Sequence, residues 1–409
     1  MSDEAGVRQS DVAPDELAYH TGLVRWRAAA PRAAAPRAEA PRTAPSMGGF
    51  GHWDLAGVRL DDSGSLALDL PGARPERDPY PPGGYRGHSF YNGGTFLVGE
   101  ATSPVTPAGF GFHQAIASWN AMTPPGTWIE TLLRAQTDDH WTAWYSLGVW
   151  ATDAATVQRH SVEGQRDADG AVAVDTLQLN SRRAPAAALQ VRLRLFSASE
   201  APGPLVSGAA VALSDVPGAG GRSGTLAEGN PALWDHQLAI PACSQMVYPD
   251  GGEVWCSPTS VAMVLRYWQS DARPCEPRVR EVVAGVYDWV YRGHGNWPFN
   301  TAYAATQGLE SCVVRLRGLA DAEGWIAAGV PLILSYGWKR GELTGAPLAS
   351  SNGHLVVLSG FDRAGTPVVD DPAAPSNRSV RRTYPRAQLE DLWMAHSGGT
   401  AYVITPIGH

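Results

Sequence analysis

The chain has 409 residues, 44% of them hydrophobic, which allows two ordinary domains or one large one and is too apolar for a disordered protein. Lys and Arg number 32 against 40 Asp and Glu, a formal net charge of −8, which argues against nucleic acid or an anionic membrane surface as the main partner. No run is apolar enough to span a bilayer, and no Gly-rich run precedes a Lys-Ser/Thr pair, so a P-loop is excluded; Lys339 is the single lysine.

Residues 1–48 read as a disordered tail and linker. The opening MSDEAGVRQSDVAPDEL is acidic and lacks the basic and apolar regions of a secretory signal. Taken at face value it keeps the protein in the cytoplasm; a misassigned start codon would hide an export signal. RAAAPRAAAPRAEAPRTAPS (27–46) repeats proline at 31, 36 and 41 and cannot bury a core, so it is expected to be an extended linker.

From 49 to 215 the pattern becomes short period-two runs separated by Gly, Pro, Asn and Asp. WIETLLRAQ puts Ile129, Thr131, Leu133 and Ala135 on one face, and WTAWYSLGVWA does the same with Trp141, Tyr145, Leu147 and Val149. ALQVRLRLF sets Val191, Leu193 and Leu195 against Arg192 and Arg194. Such strands without long helical patterns between them predict an all-β sandwich. Trp119, Trp128, Trp141, Trp144 and Trp150 suit a sandwich core better than an exposed platform. Whether the sandwich also binds a polymer or protein stays open. Asp138, Asp139 and His140 fit a polar hairpin turn better than a metal site.

Residues 216–232, rich in Gly, Pro and Ser, read as an interdomain linker. In 233–409 helical periods appear for the first time: Val261, Val264, Leu265 and Trp268 share a stripe, as do Val279, Val282, Val283, Val286 and Val290. Strand-like runs follow at 330–336, 354–362, 366–371 and 401–405. Helices first and a sheet after them is an α+β arrangement. The four cysteines, Cys243, Cys256, Cys275 and Cys312, are too few for a disulfide scaffold and lack metal-ligand spacing; a pair such as Cys275 with Cys312 is left open.

The chemistry lies in IPACSQMVYPDGGEVWCSPTSVAMVLRYW. Cys256 precedes Ser257-Pro258 at the start of an amphipathic helix, where proline fits the first turn. The macrodipole and unpaired backbone N–H groups there favour a thiolate and can donate to an oxyanion. His354 opens one predicted strand and Asp371 ends the next, so adjacent antiparallel strands would join them and orient the imidazole toward Cys256. Gln245, eleven residues before the cysteine, is placed to complete the oxyanion hole.

On Gln245, CSPTSVAMVLRYW (256–268), GHLVVLSGF (353–361), VVDDPA (368–373) and AYVI (401–404), the region from about 234 to 407 resembles the papain-like cysteine peptidases of bacteriocin-processing, C-thirty-nine-like type, in their soluble form without a transporter. The resemblance implies a papain-like α+β domain with Cys256 as nucleophile, His354 as base, Asp371 as orienter and Gln245 in the oxyanion hole. It implies peptide or amide hydrolysis through a thioester, with a peptide or protein substrate and no metal or cofactor.

Ser257 departs from the usual glycine and is expected to narrow the entrance, and Asp370 beside Asp371 leaves the orienter ambiguous, with Asp371 preferred because it precedes proline. The transporter-linked members cut after a double-glycine leader; without membrane spans or a nucleotide-binding motif, nothing in this chain supports that substrate. Segments 295–309 and 336–345, with Trp297, Tyr303 and Trp338, are expected to wall the cleft. Two rivals remain: an acyltransferase or amidase on the same scaffold, and a catalytically silent binding protein.

Overall fold

A computed structural model of the chain describes residues 19–28, 48–138, 140–199, 202–215 and 227–409. The expectations for residues 1–18, for the proline-rich stretch from 29 to 47, for Asp139 and for 216–226 lie outside the described residues. Among those described, the chain forms three sheets of seven strands each, all paired antiparallel, and five α-helices. No described helix is long and apolar enough to cross a membrane.

Residues 21–214 build two of the sheets. The first is centred on Gln114–Met122 and Leu205–Ser214, which pair along most of their length. The second is centred on Ala186–Ser197, between Thr127–Gln136 and Thr95–Thr102. Period two decides what is buried: Val191, Leu193 and Leu195 are nearly inaccessible, while Arg194 on the opposite face lies among Glu76, Glu100 and Glu130. Trp119, Trp128 and Trp150 are fully buried. Trp141 and Trp144 are half-buried instead, with the Arg134 guanidinium 4.6 and 4.7 Å from their ring centres.

Thr21–Arg27 corrects the reading of residues 1–48 as tail and linker throughout. It is a strand, in register with Leu205–Ser214 from Thr21 opposite Ser214 to Arg27 opposite Gly208. Its alternation is short but real: Leu23, Val24 and Trp26 are buried, and Trp26 meets Trp53 edge-on at 5.3 Å.

The C-terminal sheet runs in the order Leu309–Arg315, Thr400–Pro406, Leu332–Trp338, Ser351–Phe361, Pro367–Asp370, Arg381–Thr383, with His236–Gln237 added against Ser351–Phe361. The helices are α1 (Cys256–Gln269), α2 (Cys275–Val286), α3 (Trp297–Thr306), α4 (Leu319–Ala327) and α5 (Arg386–Ser397). Val261, Val264 and Leu265 form the buried stripe of α1. The stripe expected to run on to Val290 stops at Val286, because the buried Asp288 carboxylate accepts the N–H groups of Val290 and Tyr291, both at 3.0 Å, and turns the chain.

The two halves are joined by buried polar pairs and one continuous apolar core. Asn120 and Ser311 exchange hydrogen bonds, Nδ2 to carbonyl and N–H to Oδ1, both 2.9 Å. The Arg315 guanidinium donates to Gln114 and Ser214, and Glu310 pairs with Arg25 and Arg27. Segment 295–309 serves this junction: Phe299 of α3 packs against Trp119 and Trp150, and the Asp175 carboxylate accepts the Trp297 N–H at 2.8 Å.

Candidate active site

Cys256 is the first residue of α1, half-buried and free of any disulfide. The preceding Trp255 offers no side-chain cap, so the first N–H groups of the helix are left to whatever sits before the sulfur. Ser257 turns away: its hydroxyl lies 3.0 Å from the Tyr402 hydroxyl beneath the helix, and it is 1% exposed. The expected narrowing of the entrance by Ser257 is therefore not found.

Ser351–Phe361 and Leu332–Trp338 pair Tyr336 with His354, and the turn after Pro367–Asp370 brings Asp371 to the same end of the sheet. The His354 Nε2 lies 2.8 Å from Asp371 Oδ1. With Nε2 committed there, Nδ1 is the nitrogen left for sulfur, and Cys256 is near enough to act on the charge of the ring. Asp370 points elsewhere, forming an ion pair with Arg381 at 3.1 Å, so it is Asp371 that meets the histidine.

Both carboxylate oxygens of Asp371 are satisfied. Oδ1 accepts the Ala373 N–H at 2.8 Å and Oδ2 the Tyr384 hydroxyl at 2.5 Å. Trp338, 4% exposed, stands edge-on to the imidazole with ring centres 5.5 Å apart and stacks on Tyr336. The pair is thus dry on the sheet side and screened by aromatics.

That environment sets its protonation. Burial pushes the His354 imidazolium down, but the Asp371 carboxylate and Cys256 outweigh it and raise the pKa from 6.5 to about 10. Burial pushes the Asp371 carboxyl up; His354, the Tyr384 hydroxyl and the Ala373 N–H outweigh it and hold it below its ordinary 3.8. Across the neutral range the two form an ion pair.

Gln245 is 1% exposed in a single 3₁₀ turn, Gln245–Val247, capped by the Ser244 hydroxyl. Its N–H donates to the Pro372 carbonyl at 2.8 Å, which ties it to the Asp-Pro turn. Its side-chain Nε2 donates to the Gly252 carbonyl at 2.8 Å. Gly252 must be glycine, since a Cβ there would sit 2.0 Å from the Gln245 carbonyl oxygen. Gln245, Cys256, His354 and Asp371 therefore come together at one end of the sheet.

Sequence reading missed three supports. Tyr384 follows a three-residue strand and belongs to no motif; its bond to Asp371 comes from pairing across Pro367–Asp370 and Arg381–Thr383. The Gly251-Gly252 pair was a visible turn signal whose partner was not. The cysteine pair is Cys243–Cys275, not one with Cys312, which is free and buried. The bridge fastens the start of α2 to the residue two before Gln245, and the Arg266 guanidinium of α1 lies 3.1 and 3.2 Å from its sulfurs. Among the described residues no cluster of His, Cys, Asp and Glu is arranged to hold a metal ion.

Residues 42–214 match the family model of the Peptidase C39 N-terminal domain, and residues 237–401 match that of the Peptidase_C39 like family. A solved structure described as a C39-like peptidase from Bacillus anthracis is 19% identical, covering 42% of this chain and 98% of that one, with a TM-score of 0.30. Xylellain, a cysteine protease from Xylella fastidiosa, is 10% identical over 44% of this chain and 91% of its own, with a TM-score of 0.25. No curated protein matches the chain.

Proposed function

We infer that this chain, which carries a C39-like peptidase domain at its C-terminus, is a cysteine peptidase that cleaves a peptide or amide bond through a thioester at Cys256. The observation that carries the reading is His354 held by a buried carboxylate on one nitrogen and facing a free cysteine at a helix N-terminus with the other. The C-terminal helices and sheet are read as a papain-like α+β domain (233–409), and the two sheets before it (49–215, joined by Thr21–Arg27) as an accessory β-sandwich.

In the proposed reaction the Cys256 sulfur attacks the carbonyl carbon and forms an S–C bond. The carbonyl oxygen takes the negative charge, facing the Cys256 N–H and a Gln245 amide N–H. As the tetrahedral intermediate collapses, the C–N bond breaks and the His354 proton passes to the leaving amine. A raised imidazolium pKa keeps that proton on His354 across the neutral range. Water then attacks the thioester, giving its proton to His354; the S–C bond breaks, the acid leaves and Cys256 and His354 return to their starting state. Asp371, with Tyr384 behind it, keeps the ring oriented throughout.

The test is digestion of a proteome-derived peptide mixture, read as new termini by mass spectrometry. New termini with wild type, absent with Cys256→Ala and with His354→Ala, are expected. Amine-dependent products without net hydrolysis would move the reading to acyl transfer, and no products at all would leave a binding protein.

A further inference from the structure

A cavity of about 670 Å³ is lined by Met246, Pro347, Leu348, Ala373 and Pro375, residues that neighbour Gln245 and Asp371 in the chain or lie in the loop before His354. Its polar members are Ser379 and Arg382. That volume lies within the range of about 300–1,000 Å³ typical of ligand pockets. Each lining segment is fixed to the catalytic residues in sequence and by hydrogen bonds. Met246 follows Gln245. Ala373 donates its N–H to the Asp371 carboxylate at 2.8 Å. Leu348 sits in the loop that leads into Ser351–Phe361 and hence to His354.

The cavity walls are held in place. Arg382 donates from Nη1 to the Gly345 carbonyl at 2.7 Å and from Nη2 to the Ser379 carbonyl at 2.9 Å, pinning the 339–350 loop to the strand Arg381–Thr383. Thr344 N–H donates to the Gln388 side chain at 2.8 Å. On the other wall Ser244 donates to the Ala374 carbonyl at 2.5 Å, holding the Met246 turn against the Asp-Pro segment. Met246 is nevertheless 41% exposed, a long apolar side chain facing open space.

The chemistry of the proposed reaction favours one side of the scissile bond for this cavity. The leaving nitrogen must face His354 to receive its proton, with the oxyanion toward Gln245. The substrate segment beyond that nitrogen would leave on the His354 and Gln245 side, to which the lining is tied through Met246, next to Gln245 in the chain, and Ala373, bonded to Asp371. None of the lining comes from the 287–296 segment, whose Tyr291 is within electrostatic reach of Cys256.

We propose that this cavity is the pocket for the residue directly after the scissile bond and that it takes a large aliphatic or aromatic side chain. The inference rests on the peptidase reading above. Five apolar side chains make the wall, and the Arg382 guanidinium, bound to backbone carbonyls, makes a basic side chain unwelcome there.

The experiment is the peptide-mixture digest, scored for the residue after each cut, in wild type, Leu348→Glu and Met246→Glu. Wild type is expected to enrich Leu, Ile, Met and Phe at that position and to deplete Lys and Arg. In each variant the ratio of cuts before Leu to cuts before Ala is expected to fall about tenfold or more. Iodoacetamide alkylation of Cys256 checks that each variant keeps its site, and the wild-type profile decides alone if neither does. Cuts without an apolar preference after the scissile bond, or a preference that both intact variants retain, overturn the pocket and leave the peptidase standing. No cuts by wild type overturn both.

Discussion

Asp371→Asn, followed against pH, probes the buried His354–Asp371 pair directly. In the folded protein His354 has its pKa raised from 6.5 to about 10 by Asp371 and Cys256 against the opposing pull of burial. A histidine raised on folding stabilises fully below its ordinary 6.5 and loses that contribution as pH climbs to about 10. Asp371 is held below 3.8, so its contribution is present above that value and fades as pH falls through its folded pKa. The stability difference between wild type and Asp371→Asn is therefore greatest between about pH 4 and 6.5 and shrinks steadily toward pH 10. If the imidazolium returned only to its ordinary pKa, the loss would be on the order of 5 kcal/mol; Cys256 supplies part of it and survives the substitution. Urea unfolding of both proteins at pH 5, 6.5, 8 and 10 measures the gap. A gap of several kcal/mol at pH 6 that closes by pH 10 is expected. A constant gap, or none, would refute the ion pair.

Three further outcomes follow from the same geometry. Tyr384→Phe removes a 2.5 Å hydrogen bond to a buried carboxylate and should cost about 1.5–3 kcal/mol in urea unfolding, with slower peptide cleavage. Gln245→Ala should lower cleavage about 10²–10³-fold while iodoacetamide alkylation of Cys256, which forms no oxyanion, proceeds at a wild-type rate; equal loss in both assays would mean that Gln245 only packs. Opening the Cys243–Cys275 bridge, 32 residues apart, by Cys243→Ser with Cys275→Ser should cost about 3–4 kcal/mol of stability by loop entropy, seen as a lower urea midpoint.

Local pattern carried the strands and the nucleophile helix into the sequence reading. Val191, Leu193 and Leu195 alternate because one face of their strand is buried, and Cys256-Ser257-Pro258 announces a helix start. Period two could not say which strands pair or where sheets meet. Thr21–Arg27 was hidden because its three buried positions lie beside a proline-rich repeat, and its partner is almost 190 residues away in sequence. Tyr384 and the Cys243–Cys275 bridge were invisible for the same reason: each depends on a contact set by tertiary register. Between Asp370 and Asp371 the sequence favoured Asp371 only by its place before proline; the ion pair of Asp370 with Arg381 and the bond of Asp371 to His354 separate them. The halves joined through Asn120, Ser311 and Arg315 look like separate domains in sequence because those polar residues resemble ordinary surface ones until they meet.

The most direct measurement is intact-protein mass spectrometry of acid-quenched reactions between the protein and a peptide that it cuts in the mixture. The account predicts a transient adduct equal to the acyl half of the peptide, mapped to Cys256, discharged by hydroxylamine and absent in Cys256→Ala. Peptide cleavage with no adduct at Cys256, or an adduct on Cys312 instead, would contradict it.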